Sequence, residues 1–300
     1  MRVCLLSMTD SAGQNFLLAD AMRKYLGWDA MSFSMAQTYL DYPTDMIRTP
    51  ENVSEICDFA ASADLFIFQD VLFRVPGMRV DKLANKNNTI IYGLGSPMRN
   101  NLNAIMDYVK VGYHVLPPLS DPTIAQYIGG APFEAVIVDP LVFSQPINRN
   151  EHITICHAPT KTEKGEELFA KLVTEVDDVE WLVIKNKTWK EALELKSKAH
   201  IMLDSISDES YGLNCLEGLV LGQSVISSIA PWCYCLNPDL PMRSIWNDTN
   251  DEIVDKIKEI VDIRRKYYEL ETYETWVADR FSPLNQALKW EKYVEWCVEG

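Results

Sequence analysis

Glu209 and Glu217 stand eight positions apart in the string Glu209-Ser210-Tyr211-Gly212-Leu213-Asn214-Cys215-Leu216-Glu217, around a glycine and ahead of an apolar run from Leu216 to Leu221. Ala199 to Asp204, just before it, has the length and apolar character of a buried strand, and Gly212 to Gly222 reads as the helix that follows. In the order strand, loop, helix, the loop brings the first free N–H groups of the helix and its positive dipole end to whatever anion lies above them, which suits a diphosphate. An ionised glutamate only accepts hydrogen bonds, so Glu217, one turn inside, suits a vicinal pair of hydroxyls such as a ribose. Glu209, still in the loop, is placed for sugar hydroxyls or for part of the diphosphate. Tyr211, Gly212, Leu213 and Asn214 frame the helix start and complete this candidate donor site. The plain alternative is a solvated helix glutamate and a glycine that relieves a tight turn.

The elements that must position these residues come from the rest of the chain. Its 300 residues, 47% hydrophobic with eight tryptophans, leave room for two domains with packed cores. Arg2 to Met8 is an apolar run of strand length, followed by the loop Thr9-Asp10-Ser11-Ala12-Gly13 and a helical pattern ending at Gly27. Further strands are expected at 30–35, 64–69, 89–93, 113–116 and 135–138, with helices around 50–62, 98–108 and 121–128. This alternation implies a parallel sheet covered on both faces. The first strand is not followed by Gly-x-Gly-x-x-Gly, so no dinucleotide cofactor is indicated. The polar stretch from Pro140 to Asn150 reads as a linker. A second series then starts with strand 152–156, the loop His157 to Gly165, a helix carrying Leu168, Phe169, Leu172 and Val173, strand 179–184, helix 189–197 and the strand before the signature. The last fifty residues read as helical, ending in an amphipathic helix after Pro283 with Leu288, Trp290, Tyr293, Trp296 and Val298, whose stripe serves equally as core or as a dimer seam.

Composition narrows the function classes. No apolar run reaches the length of a membrane span, and the opening Met1 to Ser7 turns polar at Thr9-Asp10, too early for a signal peptide. Seven cysteines, an odd number scattered through apolar strings, suit reduced thiols and a cytoplasmic location. Cys233 and Cys235 are too isolated to indicate zinc. The net charge of −15 argues against a general nucleic-acid binder. Residues 1–150 carry 11 basic and 15 acidic side chains, whereas residues 151–300 carry 17 and 28. Within 74–110 the sign reverses, because six basic residues face only Asp81 and Asp107. Arg74, Arg79, Lys82 and Arg99 in that segment are candidates for contact with an anionic acceptor, against the plain reading of a solvated surface.

The string Glu-x-x-Gly-Leu-x-x-Leu-Glu-Gly-Leu, followed by Leu-Gly-Gln-Ser-Val-Ile-Ser-Ser, resembles the Glu-x7-Glu signature of retaining glycosyltransferases of the family 4-like, GT-B type. The resemblance is specific from about Ile153 to Ser228 and departs from the pattern at Asn214 and Cys215, where a proline and a small residue are commoner. It implies an α/β fold of two Rossmann-like doubly wound domains facing a central cleft: an acceptor domain over 1–147, a donor-nucleotide domain over 148–282, and a C-terminal helix over 283–300 crossing back to the first. It implies transfer of a sugar from a nucleoside-diphosphate-sugar donor, with the nucleotide sugar as co-substrate and no separate cofactor. The family places at Lys164 a lysine that neutralises the donor diphosphate. Its usual arginine a few residues earlier is absent, leaving Lys161, Lys185 or Lys187 to substitute. His157 borders the same loop, although a lone histidine at a strand end is more often structural. In the first domain, Gly13 allows close backbone approach and Asp10 is an acceptor-side base or a plain helix cap. The loop from Gly93 to Arg99 lacks the histidine that relatives often carry there. No Asp-x-Asp pair is present, so metal-independent stabilisation of the leaving group is expected. The acceptor stays open among a glycan, a small molecule, a protein and a modified base in DNA. Two rival readings remain: a sugar-nucleotide epimerase or hydrolase, and a catalytically silent binding protein.

Overall fold

A computed structural model describes residues 1–37, 39–70, 83–93, 98, 100–118, 122–128, 133–159, 164–267 and 273–299. The chain divides into one unit of residues 1–137 with 280–300 and a second of residues 138–279. Each is built on a parallel sheet. In the first, β1 (Arg2–Ser7), β2 (Asp29–Ser34), β3 (Met46–Ile47), β4 (Leu65–Gln69), β5 (Thr89–Tyr92) and β6 (His114–Leu116) lie in the order β3-β2-β1-β4-β5-β6. Its helices are α1 (Gln14–Ala21), α2 (Val53–Ala61), α3 (Leu102–Val111) and α4 (Pro122–Ile128). Val3, Cys4, Leu5 and Leu6 of β1 are all fully buried, because a parallel strand covered on both faces has no polar side.

The second unit begins with α5 (Pro140–Ser144) and continues through β7 (Ile153–His157), α6 (Glu166–Val173), β8 (Val179–Val183), α7 (Trp189–Lys196), β9 (Ile201–Leu203), α8 (Leu213–Val220), β10 (Ser224–Ser227), α9 (Pro231–Leu236), β11 (Arg243–Ser244), α10 (Asn250–Lys266) and most of α11 (Glu274–Phe281). Its strands are ordered β11-β10-β9-β7-β8 and every pair is parallel. The chain moves outward from β7 to β8, then crosses back to β9 on the other side. The loops after β7 and β9 therefore flank the point where the strand order reverses, the place where open α/β sheets bind ligands.

The structure departs from the sequence reading in several places. Residues 135–138 form no strand. The side chain of Gln14 takes over the ladder's work there, accepting from Ile137 N at 2.7 Å and donating to its carbonyl at 3.0 Å. The stretch read as a linker starts with helix α5, capped by Asp139, whose carboxylate accepts from Leu141 N at 2.8 Å. Arg149, in the same stretch, donates to the carbonyls of Ser197, Ala199 and Leu221. Arg264 donates to Gly222 O at 2.7 Å, so two guanidinium groups meet the carbonyls that end α8. Cations there complement the negative end of the helix dipole. Burial lowers the Arg264 pKa to about 10.

The last helix, α12 (Pro283–Glu299), packs on the first unit, burying Ala287, Trp290 and Val294 against Val3, Leu18 and Met22. Trp290 meets Tyr92 edge-on at 5.4 Å and Phe133 at 5.3 Å. Of the expected stripe, Trp290 is buried and Tyr293 packs against this face, whereas Leu288 is 40% and Trp296 66% exposed.

Candidate functional site

Residues 209–217 run from the loop after β9 into the start of α8, and their side chains divide between a core and an opening. Loop 204–212 leaves β9 beside the loop that leaves β7, and Lys164 and Asp204 meet across the strand-order reversal. Lys164 Nζ is 2.9 Å from Asp204 Oδ1 and 3.7 Å from Asp208 Oδ2. Burial alone would lower the lysine's pKa, yet the two carboxylates outweigh it and hold the pKa well above the ordinary value. Burial would likewise raise Asp204, and Lys164, Cys215 and Asn214 together keep its carboxyl below the usual carboxylate range. Both groups are charged at neutral pH.

Asp204 is the residue that sequence reasoning missed, although an aspartate at the carboxyl end of a strand beside the reversal point was a usable signal. It organises Asn214 and Cys215, the two positions at which the string departs from the pattern it resembles. Asn214 Nδ2 donates to Asp204 Oδ1 at 3.3 Å and to Ala158 O at 3.0 Å, and the Cys215 thiol donates to Asp204 Oδ2 at 3.3 Å. Burial, then Asp204, keeps that thiol protonated by raising its pKa well above normal.

Glu217 is not placed as expected. It is 2% exposed, with Oε1 accepting from Trp189 Nε1 at 3.0 Å and Oε2 from Lys196 Nζ. Lys196, itself 3% exposed, also donates to Asn214 Oδ1 at 2.6 Å. The reason is readable in α7: Trp189, Leu193 and Lys196 recur at helical spacing on its buried face, and an inward lysine requires a carboxylate. Removing one partner of a buried pair costs about 3–5 kcal/mol.

Gly212 caps α8 in an extended conformation, φ −105°, and a Cβ there would meet nothing within 4 Å. Glu209 is exposed, and its backbone carbonyl accepts from Ala230 N at 3.0 Å. Leu213 opens the helix at its first position. Tyr211 turns the other way: it is buried, receives a hydrogen bond from Asn237 Nδ2 at 3.3 Å, and lies 6.4 Å from the Trp276 ring. Gly165, next to Lys164, has φ +94°, and an added Cβ would lie 2.5 Å from Ile206 Cγ1, so only glycine fits.

His157 is fully buried, stacked on Trp181 and edge-on to Phe169. Its Nδ1 lies 2.6 Å from Leu203 O, which requires the proton on Nδ1 and leaves Nε2 without a partner among the described residues. Burial lowers its pKa despite the carbonyl and Asp204, so the ring is neutral. It holds β7 to β9 beneath the site. Lys185 is paired with Glu166, and Lys161 lies outside the described residues.

In the first unit, Asp10 is a cap. Its two oxygens accept from Asn15 N at 2.9 Å and Phe16 N at 3.0 Å, and it is 1% exposed. Burial raises its pKa to about 7 against those bonds. Gly13, at φ +65°, precedes α1 in the left-handed region. Around them Tyr92 Oη donates to Asn15 Oδ1 at 2.7 Å and Gln69 Oε1 accepts from Ser11 N at 3.1 Å. Arg74, Arg79, Lys82 and Arg99 lie outside the described residues. Among the described residues, no group of three or more His, Cys, Asp or Glu is arranged to hold a metal, and no helix is long and apolar enough to cross a membrane.

No family model matches the chain, and no curated protein matches it in sequence. Solved structures do match. HepE from Anabaena, in complex with UDP, aligns at a TM-score of 0.64 with 9% identity, covering 98% of this chain and 100% of its own. Sucrose-phosphate synthase from Thermosynechococcus elongatus gives 0.65 with 11% identity, covering 99% of each chain. WaaG, a glycosyltransferase involved in lipopolysaccharide biosynthesis, gives 0.60 with 11% identity over 99% of this chain and 100% of its own. The fold is thus the two-domain GT-B fold of glycosyltransferases.

Proposed function

We propose that this protein is a retaining glycosyltransferase that moves a sugar from a nucleoside-diphosphate donor to an acceptor hydroxyl. The observation that carries the reading is Lys164, held charged where β7 and β9 part, beside the start of α8 with Gly212 open above it. A fixed cation and free helix N–H groups stabilise the charge that develops on a departing diphosphate. The solved HepE complexes with UDP and with UDP-glucose support the donor class. Glu209, exposed in the same loop, is the carboxylate available to the sugar. Asp204 acts through Lys164 by keeping it charged and aimed. Retention follows from the resemblance of the signature, and the leaving group needs only lysine and N–H groups, so turnover persists in EDTA.

The test is calorimetric titration with UDP, GDP and ADP and their sugars, followed by a transfer assay with and without acceptor. Lys164→Ala should weaken diphosphate binding by roughly tenfold to a hundredfold, the equivalent of about 1.4–2.7 kcal/mol. Unchanged titration curves for Lys164→Ala remove the assignment. Turnover of donor in the absence of any acceptor would favour the epimerase or hydrolase instead.

A further inference from the structure

We propose that Asn214 is a positioning residue for the donor diphosphate, fixing the Asp204 carboxylate that aims Lys164 and so tying the loops after β7 and β9 to the start of α8. This rests on the reading that Lys164 meets the diphosphate. It deepens that reading by assigning part of the site's affinity to a side chain one step removed from the lysine.

The partners of the Asn214 amide fix its orientation. The Lys196 ammonium only donates, so the amide oxygen faces it, 2.6 Å from Nζ. The Asp204 carboxylate and the Ala158 carbonyl only accept, so the amide nitrogen faces them, at 3.3 Å and 3.0 Å. A reversed amide would set donor against donor and acceptor against acceptor. The three anchors come from three elements: Lys196 ends α7, Ala158 follows β7 and Asp204 follows β9. Asn214 therefore joins both loops at the strand-order reversal to a buried cation of the neighbouring helix.

Asp204 passes that constraint on. Its Oδ1 receives Lys164 at 2.9 Å together with Asn214, and its Oδ2 receives the Cys215 thiol at 3.3 Å. A buried carboxylate depends on protein donors to stay ionised and in place, and these three hold its carboxyl below the usual range against burial. Lysine carries its charge on a flexible four-carbon stem, so the direction of its ammonium follows the carboxylate that it pairs with. Asp208, more exposed and 3.7 Å away, adds a second and looser hold.

The experiment is a double-mutant cycle on the full chain. UDP, GDP and ADP are titrated by calorimetry against wild type, Lys164→Ala, Asn214→Ala and the double variant, with near-ultraviolet dichroism as the check on folding. In the wild-type background Asn214→Ala should weaken the nucleotide that binds by roughly fivefold to tenfold, as expected for coupled neighbours. In the Lys164→Ala background the same substitution should change Kd by less than about twofold, because the lysine that Asp204 aims is gone. An equal loss in both backgrounds means that Asn214 acts on the ligand directly or through the helix start, and it overturns the proposal while leaving the donor site standing. So does an Asn214→Ala variant that binds like wild type. Cys215→Ala should show a smaller loss with the same dependence on Lys164, and Cys215→Ser, which keeps a donor for Asp204, should restore affinity. Should Asn214→Ala fail to fold, this pair decides, and equal affinity for wild type, Cys215→Ala and Cys215→Ser overturns the proposal. If Lys164→Ala binds like wild type, or no diphosphate binds wild type at millimolar concentration, the donor-site reading itself fails and this inference falls with it.

Discussion

The carboxyl ends of the two sheets solve the same problem with opposite electrostatics. In the first unit, the loop after β1, the start of α1 and the last residues of β4 and β5 carry Asp10, Asn15, Gln69 and Tyr92, and the web is made of amides, a phenol and a carboxyl whose oxygens cap a helix. In the second, the loops after β7 and β9 carry Lys164, Asp204 and Asp208, and Asn214 at the start of α8 ties them through Lys196 to Glu217. Burial drives the Asp10 pKa up to about 7, whereas Lys164 moves up and Asp204 moves down. One web tolerates loss of charge and the other is made of charge. A site for an anionic leaving group requires a cation that stays ionised, and only the second web supplies one among the described residues.

The largest effect should come from unbalancing the ionic web. Lys196→Met alone strands Glu217 in the core and should cost about 3–5 kcal/mol in urea unfolding. Lys196→Met with Glu217→Leu removes both ions and should recover most of that loss. A single variant no less stable than the double would show that the pair is not buried in solution, and the contrast between the units would fail.

A smaller effect separates the webs by pH. Asp10 has a folded pKa of about 7 against an ordinary 3.8, so its contribution to stability is complete below about pH 4 and is lost as pH rises through 7. Asp204 is depressed, so its contribution is present above its ordinary pKa of 3.8 and is lost only as pH falls below it. Between pH 5 and 8 the first unit should weaken, by at most about 1.4 kcal/mol per pH unit, while the second is unaffected by these groups. Amide exchange in β1 and α1, compared with β7 and α8, reads the two separately. Asp10→Asn should flatten the trend in the first pair. A trend that survives the substitution assigns it to another group.

What could be read from sequence follows the same division. The alternation of strands and helices was legible because buried parallel strands are continuous apolar runs, and the signature because its loop and helix are contiguous. The partners of Glu217 were not, since Trp189 and Lys196 lie on the preceding helix and their inward direction is set by packing. Lys196 left a trace nonetheless, at helical spacing from Trp189 and Leu193. The missing strand at 135–138 was illegible for a different reason: its backbone partners are the side-chain amide of a residue 123 positions away. Residues 46–47 and 243–244 were too short for any periodicity to declare.

Two glycines that precede equivalent helices sharpen the comparison further. Gly13 before α1 sits at φ +65°, with Tyr42 Cβ 3.4 Å from where a side chain would begin. Gly13→Ala should cost about 1–2 kcal/mol from the left-handed backbone alone. Gly212 before α8 sits at φ −105°, which any residue adopts, and a Cβ there meets nothing within 4 Å. The poorer capping of alanine leaves a cost of roughly 0.5 kcal/mol, the smallest predicted here. The first glycine is required by the fold of its loop and the second by neither backbone nor neighbours. On the proposed function, the open space at Gly212 is where the diphosphate meets the α8 start. Gly212→Ala should therefore leave urea unfolding nearly unchanged while weakening nucleoside diphosphate binding measured by calorimetry. Unchanged affinity in that variant would mean that the α8 start is not where the diphosphate rests, and the opening would then separate the two sheets in electrostatics but not in function.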